Sequence, residues 1–141
     1  PVMASVNTDI AQTLDITCRR GDTFAIDITF RDSSNANTTI PINSGYTFHM
    51  HVRSSDEDDS NAPLLSDAAS GTGVYGDIVL DPSAGGSSGK LSITIDDTPM
   101  KAIPGGNYVY DIQAAKDDGS IQTWVQGSFL VNEDVTHYDS L

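Results

Sequence analysis

Two histidines, His49 and His51, stand two residues apart in an alternating run from Tyr46 to Arg53. On a strand, residues i and i+2 share a face, so two imidazoles there could hold one transition-metal ion between them. Arg53 follows on the same face and opposes a cation, and no third ligand lies close in sequence. The pair therefore reads as an exposed sheet face rather than a zinc site. Asp56, Glu57, Asp58 and Asp59 form a carboxylate cluster, with Asp67, Asp77 and Asp81 further along. Hard cations such as Ca²⁺ take six to eight oxygen ligands, but the cluster lacks the alternating Asp spacing and distant Glu of a calcium loop. A solvated acidic loop is the simpler expectation. Neither a resident metal nor a cofactor is expected.

The nucleophile and acid–base candidates are equally sparse. Cys18 ends an apolar alternation and reads as a small core residue; Arg19 and Arg20 would activate its thiol only if it were exposed. There is no Gly-x-Ser-x-Gly elbow, and His137 lies in a polar tail ill suited to holding a base in place. Asp96-Asp97 and Asp117-Asp118 sit in turns, where carboxylates cap and solvate. No catalytic residue is expected, and the chain is read as a non-enzyme. Arg20-Gly21-Asp22 matches a short adhesion tripeptide, yet a turn before a strand explains all three residues. Asn37-Thr38-Thr39 fits a glycosylation acceptor without a secretory leader to support its use. Trp124 could face solvent as a contact anchor, depending on register, whereas Tyr108 and Tyr110 are expected in the core.

Composition narrows the partners. The 141 residues carry 20 acidic against seven Lys and Arg side chains, a formal charge of −13. Neutralising phosphates needs clustered basic groups, so nucleic acid is excluded as a partner, and an anionic membrane surface with it. Eighteen of the acids are Asp and only Glu57 and Glu133 are Glu, which favours turns over helices. One cysteine allows no internal disulfide framework.

The elements that would position these residues are strands. Phe24, Ile26, Ile28 and Phe30 alternate with Ala25, Asp27 and Thr29. Tyr46, Phe48, Met50 and Val52 point inward in the next strong run, leaving His49, His51 and Arg53 outside. Val74 to Leu80 forms another strand and Asp81 to Gly89 a flexible turn; Leu91, Ile93 and Ile95 alternate again. Met100, Ala102 and Ile103 fit one helical turn. Tyr108 to Ala114 and Ile121 to Val131 make a hairpin around Asp117-Asp118-Gly119. Seven or eight short strands with turn signals every roughly 8–12 residues predict an all-β antiparallel sandwich. The expected layout is a flexible N-terminal arm at 1–9, a sandwich domain at 10–131 and a C-terminal tail at 132–141.

Three stretches carry a family resemblance when taken in order. Arg20-Gly21-Asp22-Thr23-Phe24 opens a strand that leads through Ile40-Pro41-Ile42 to Gly45-Tyr46-Thr47-Phe48. Leu91-Ser92-Ile93-Thr94-Ile95 leads to Pro104-Gly105-Gly106-Asn107-Tyr108-Val109-Tyr110-Asp111. Gly127-Ser128-Phe129-Leu130-Val131 closes, followed by Asp134-Val135-Thr136. Over about residues 17–137 this resembles the immunoglobulin-like module of tailed-bacteriophage structural proteins, similar to the domain that begins phage baseplate upper proteins. The resemblance implies an immunoglobulin-like fold and a virion component without catalysis. Its partners would be other virion proteins, of the tail or baseplate or the major capsid protein, bound in multiple copies within a symmetric assembly on the particle exterior. A tail, baseplate or fibre-attachment position is slightly favoured. A capsid decoration or head-fibre role is the competitor, and a carbohydrate-binding or adhesion module a further alternative. Apolar side chains on the arm, Val2, Met3, Val6 and Ile10, are the expected docking residues, with His137, Tyr138 and Leu141 of the tail as a second patch.

Overall fold

Alternating burial builds the strands. In Phe24–Asp32 (β4), Ile26, Ile28 and Phe30 are buried while Ala25 is exposed and Asp27 and Thr29 are half-exposed; in Tyr46–Arg53 (β6), Phe48, Met50 and Val52 are buried between half-exposed His49 and His51. The computed structural model describes residues 2–7, 12–32, 38–42, 45–54, 63–67, 71, 73–85 and 89–133. Among them the remaining elements are β1 (Val2–Asn7), β2 (Gln12–Thr13), β3 (Ile16–Arg19), β5 (Thr38–Thr39), β7 (Leu65–Asp67), β8 (Gly76–Gly85), β9 (Lys90–Ile95), a short helix α1 (Asp97–Ala102), β10 (Gly106–Lys116) and β11 (Ile121–Asn132).

The strands form one curled sheet that folds into two layers. One layer runs β1-β4-β9-β8, with β5 on the end of β4; the other runs β7-β6-β10-β11, with β2 and β3 along the outer edge of β11. Strand β8 is the corner. Its first residues pair in parallel with β7, and from Val79 it pairs antiparallel with β9. Aromatic contacts knit the layers: Phe30 of β4 lies 5.8 Å from Phe48 of β6 and 4.9 Å from Trp124 of β11, and Phe24 lies 5.8 Å from Phe129. Ile93, Met100, Ile112 and Val125 are fully enclosed in the same core. Each such side chain contributes roughly 1.5–3 kcal/mol by leaving water.

The all-β sandwich expected from the sequence is the fold of the protein, with differences that have physical causes. Eleven strands are present among the described residues rather than seven or eight, because several pairings span only two or three residues. Pairing is mixed: β1 with β4, β7 with β8, and β2 and β3 with β11 are parallel. Residues 2–7, expected as an unpaired arm, hydrogen-bond along β4 from Val2↔Ile26 to Asn7↔Arg31. Strand β8 continues through Asp81 to Gly85, where a flexible turn was expected. Pro82 is tolerated there because it falls in the irregularity between the Asp81↔Ser92 and Gly85↔Lys90 pairings, where no ladder hydrogen bond is needed. The expected helical turn is α1, which buries Met100.

Candidate binding groove on the outer face of the second layer

The outward side chains of β6, β10 and β11 come together because register sets them side by side. Asp111 of β10 stands opposite His51 of β6 on one side and Gln126 of β11 on the other; Gln126 in turn pairs with Thr13 of β2. Gln113 stands opposite His49 and Thr123, and Val109 opposite Arg53 and Ser128. Opposed residues in such ladders lie about 4.5–5.5 Å apart, within reach of polar side chains. Apart from Thr123 and Ser128, these residues line an open cleft of ≈ 580 Å³.

The two carboxylates beside the histidines sit in different environments. Asp67 is only 5% exposed. One of its oxygens accepts from the Met50 backbone N–H at 2.9 Å, and the other pairs with His49 Nδ1 at 2.8 Å. Strand β7 is short but wholly buried, which is what carries this carboxylate beneath His49. Asp111 is half-buried, and burial pushes its carboxyl above the ordinary value while His51 and Arg53 pull it back. Burial and the Arg53 charge hold His51 below its ordinary value, against the pull of Asp67 and Asp111.

Thr13 at the end of β2 lines the cleft, and from it the chain passes to the core-facing side of β11. Leu14 crosses directly over Gly127, where a Cβ would meet the Leu14 carbonyl oxygen at 2.3 Å, so only glycine fits. Leu14 N–H donates to the Gln126 carbonyl at 2.9 Å, Tyr110 Oη donates to the Leu14 carbonyl at 2.5 Å, and Ser128 N–H donates to Asp15 Oδ1 at 3.0 Å.

The residues singled out in the sequence scatter around this site. His49, His51 and Arg53 share the outer face as expected. Among the described residues no group of three or more His, Cys, Asp or Glu side chains is arranged to hold a metal ion. Val2, Met3 and Val6 lie on β1; Ile10, His137, Tyr138 and Leu141 lie outside the described residues, as do Asp56 to Asp59 and Asn37. Trp124, a candidate solvent-facing anchor, is instead 2% exposed and packed against Phe30, Tyr46 and Phe48. The cause is a bulge: Ile112 pairs with Val125 but Gln113 with Thr123, which turns both Trp124 and Val125 inward. Tyr110 is in the core, whereas Tyr108 is half-exposed and donates to the Pro104 carbonyl at 2.6 Å.

Arg20 is engaged within the domain, donating to the Lys101 carbonyl at 3.0 Å and pairing with Glu133 at 3.2 Å. Asp77 lies exposed on β8 and Asp97 in the first turn of α1. Cys18 is buried, and burial pushes its thiol up to about 11. Sequence reasoning placed Asp67 only among the carboxylates of an acidic loop, and it passed over Asp111, Gln113 and Gln126. Outward alternation on β10 and β11 marked the last three as surface positions, but their meeting with His49 and His51 depends on strand pairing.

Fold and groove together define an all-β sandwich domain with one polar, concave sheet face. No family model matches the chain, and no curated protein matches it. Among solved structures, CopC from Methylosinus trichosporium OB3b aligns over 91% of this chain and 89% of its own at 12% identity, with a TM-score of 0.38. Similarity at that level transfers neither function nor ligand.

Proposed function

We propose that the chain is a non-enzymatic accessory structural domain of a tailed-phage virion, docked on the particle exterior. A tail or baseplate position is favoured over capsid decoration by the ordered likeness to the immunoglobulin-like module of baseplate upper proteins. The observation that carries the docking mechanism is β1. It is the terminal strand of its layer, joined to β4 along one side; among the described residues no strand hydrogen-bonds to its other side, although β11 comes near it. An edge of that kind offers a row of backbone donors and acceptors to a neighbouring subunit. The acidic surface fits an outward position, away from packaged DNA.

The test is deletion of residues 1–9 in the phage that encodes the chain. The shortened protein is expected to fold, by circular dichroism and a cooperative melt, and to be missing from purified particles by mass spectrometry. Its retention on particles overturns the docking mechanism.

A further inference from the structure

We infer that the groove across β6, β10 and β11 binds a neutral saccharide. This role is independent of docking through β1. The argument starts from charge. The chain is strongly acidic, yet two of its three histidines and Arg53 gather in one cleft, each near a carboxylate: His49 against Asp67, and Arg53 and His51 against Asp111. An anionic ligand would meet Asp111, and a cationic one would meet Arg53. A polyol meets no like charge, because every hydroxyl both donates and accepts.

Spacing and shape point the same way. Strands lie about 4.8 Å apart, comparable with the span between hydroxyls on one sugar ring, so a row such as His51, Asp111 and Gln126 presents imidazole, carboxylate and amide in succession. Val109, half-exposed beside that row, offers an apolar spot for a ring's C–H face. The volume of ≈ 580 Å³ falls within the roughly 300–1,000 Å³ of small-ligand sites. The groups stand on paired strands, and Thr13 is held beside Gln126 by strand pairing and the adjoining Leu14 hydrogen bond, so little order has to be gained on binding. A protein partner would need an apolar anchor, and among the described residues none of the large exposed apolar side chains, Val74, Val79 and Ile121, lines the cleft.

The test uses the isolated full chain, ¹⁵N-labelled, titrated with neutral trisaccharides of glucose, galactose, rhamnose and N-acetylglucosamine. Trimers of galacturonic acid and glucosamine serve as charged comparators. At least one neutral trisaccharide is expected to shift the amides of Asp111, Gln113 and Gln126, with a Kd in the millimolar range or tighter. Gln126→Ala, at an exposed position, is expected to weaken that binding by about tenfold while leaving the rest of the spectrum in place. Asp111→Asn should do the same with the charge removed and the shape kept. The inference is overturned if no neutral trimer shifts these strands, if only a charged trimer does, if Gln126→Ala binds as tightly as the parent, or if the same amides shift only with self-association. None of these outcomes bears on β1 docking, which is read on particles.

Discussion

Tyr110 and Leu14 are joined across 96 positions of sequence by a single hydrogen bond, Tyr110 Oη to the Leu14 carbonyl at 2.5 Å. The phenol, on the core face of β10, reaches past Gly127 of β11 and holds the segment that links β2 to β3. Burial keeps this hydroxyl protonated, with the nearby Asp15 charge adding to the effect, so it remains a donor throughout the physiological range. Tyr110→Phe removes the donor while keeping the ring. It should cost about 1–2 kcal/mol in urea unfolding, because the Leu14 carbonyl loses a part-buried partner. A variant as stable as the parent would mean that this segment is held by the strand pairing alone.

Gly127→Ala acts on the same carbonyl from the neighbouring strand. A Cβ would lie 2.3 Å from the Leu14 oxygen and 2.8 Å from its carbon, both backbone atoms that move only with the chain. The expected loss is about 1–3 kcal/mol, the usual range for overpacking. Combined with Tyr110→Phe, the two losses should sum to less than their separate values, since each displaces the same segment. Strict additivity in that double-mutant cycle would show that the two contacts act independently.

Asp67→Ala should destabilise the domain more than Asp67→Asn. Alanine leaves the Met50 N–H inside β6 without its acceptor and His49 without its partner, a cost of about 1–3 kcal/mol for the buried donor. Asparagine retains an acceptor oxygen for Met50. Equal midpoints for the two variants in urea would assign the stabilisation to the charge facing His49 rather than to the backbone cap.

Legibility in the sequence followed the range of the interactions. Strands β4 and β6 were readable because alternation is local, and so was the outward placement of His49, His51 and Arg53. Asp111 gave no sign of standing opposite His51, because that pairing is set by a register between residues sixty positions apart. Trp124 was ambiguous for a related reason: a bulge adds a residue that period-2 counting cannot see. Strand β7 has no alternation at all. Leu65, Ser66 and Asp67 are all buried, since β6 and β8 flank it and the Ser66 hydroxyl and Asp67 carboxylate find partners inside. The parallel pairing of β1 depends on an open edge of β4, a property of the assembled layer.

Cys18 supplies a prediction whose sign follows from its burial. The thiol donates weakly to the Leu130 carbonyl at 3.5 Å, and burial raises it from 9.0 to about 11. Folded chain should therefore resist thiol reagents at neutral pH, with labelling appearing only as urea unfolds it. Between pH 9 and 11 the unfolded thiol ionises while the folded one stays protonated, so the folded state binds more protons and stability falls as pH rises. The contribution is whole below pH 9 and is lost through about 11, on the order of 2–3 kcal/mol across the window. Other groups titrate there too, Tyr110 among them, so the measurement is the difference between the parent and Cys18→Ala at each pH. That difference should shrink steadily from pH 9 to 11 in favour of the alanine variant. A constant difference, or ready labelling of the folded chain, would place the thiol in contact with water.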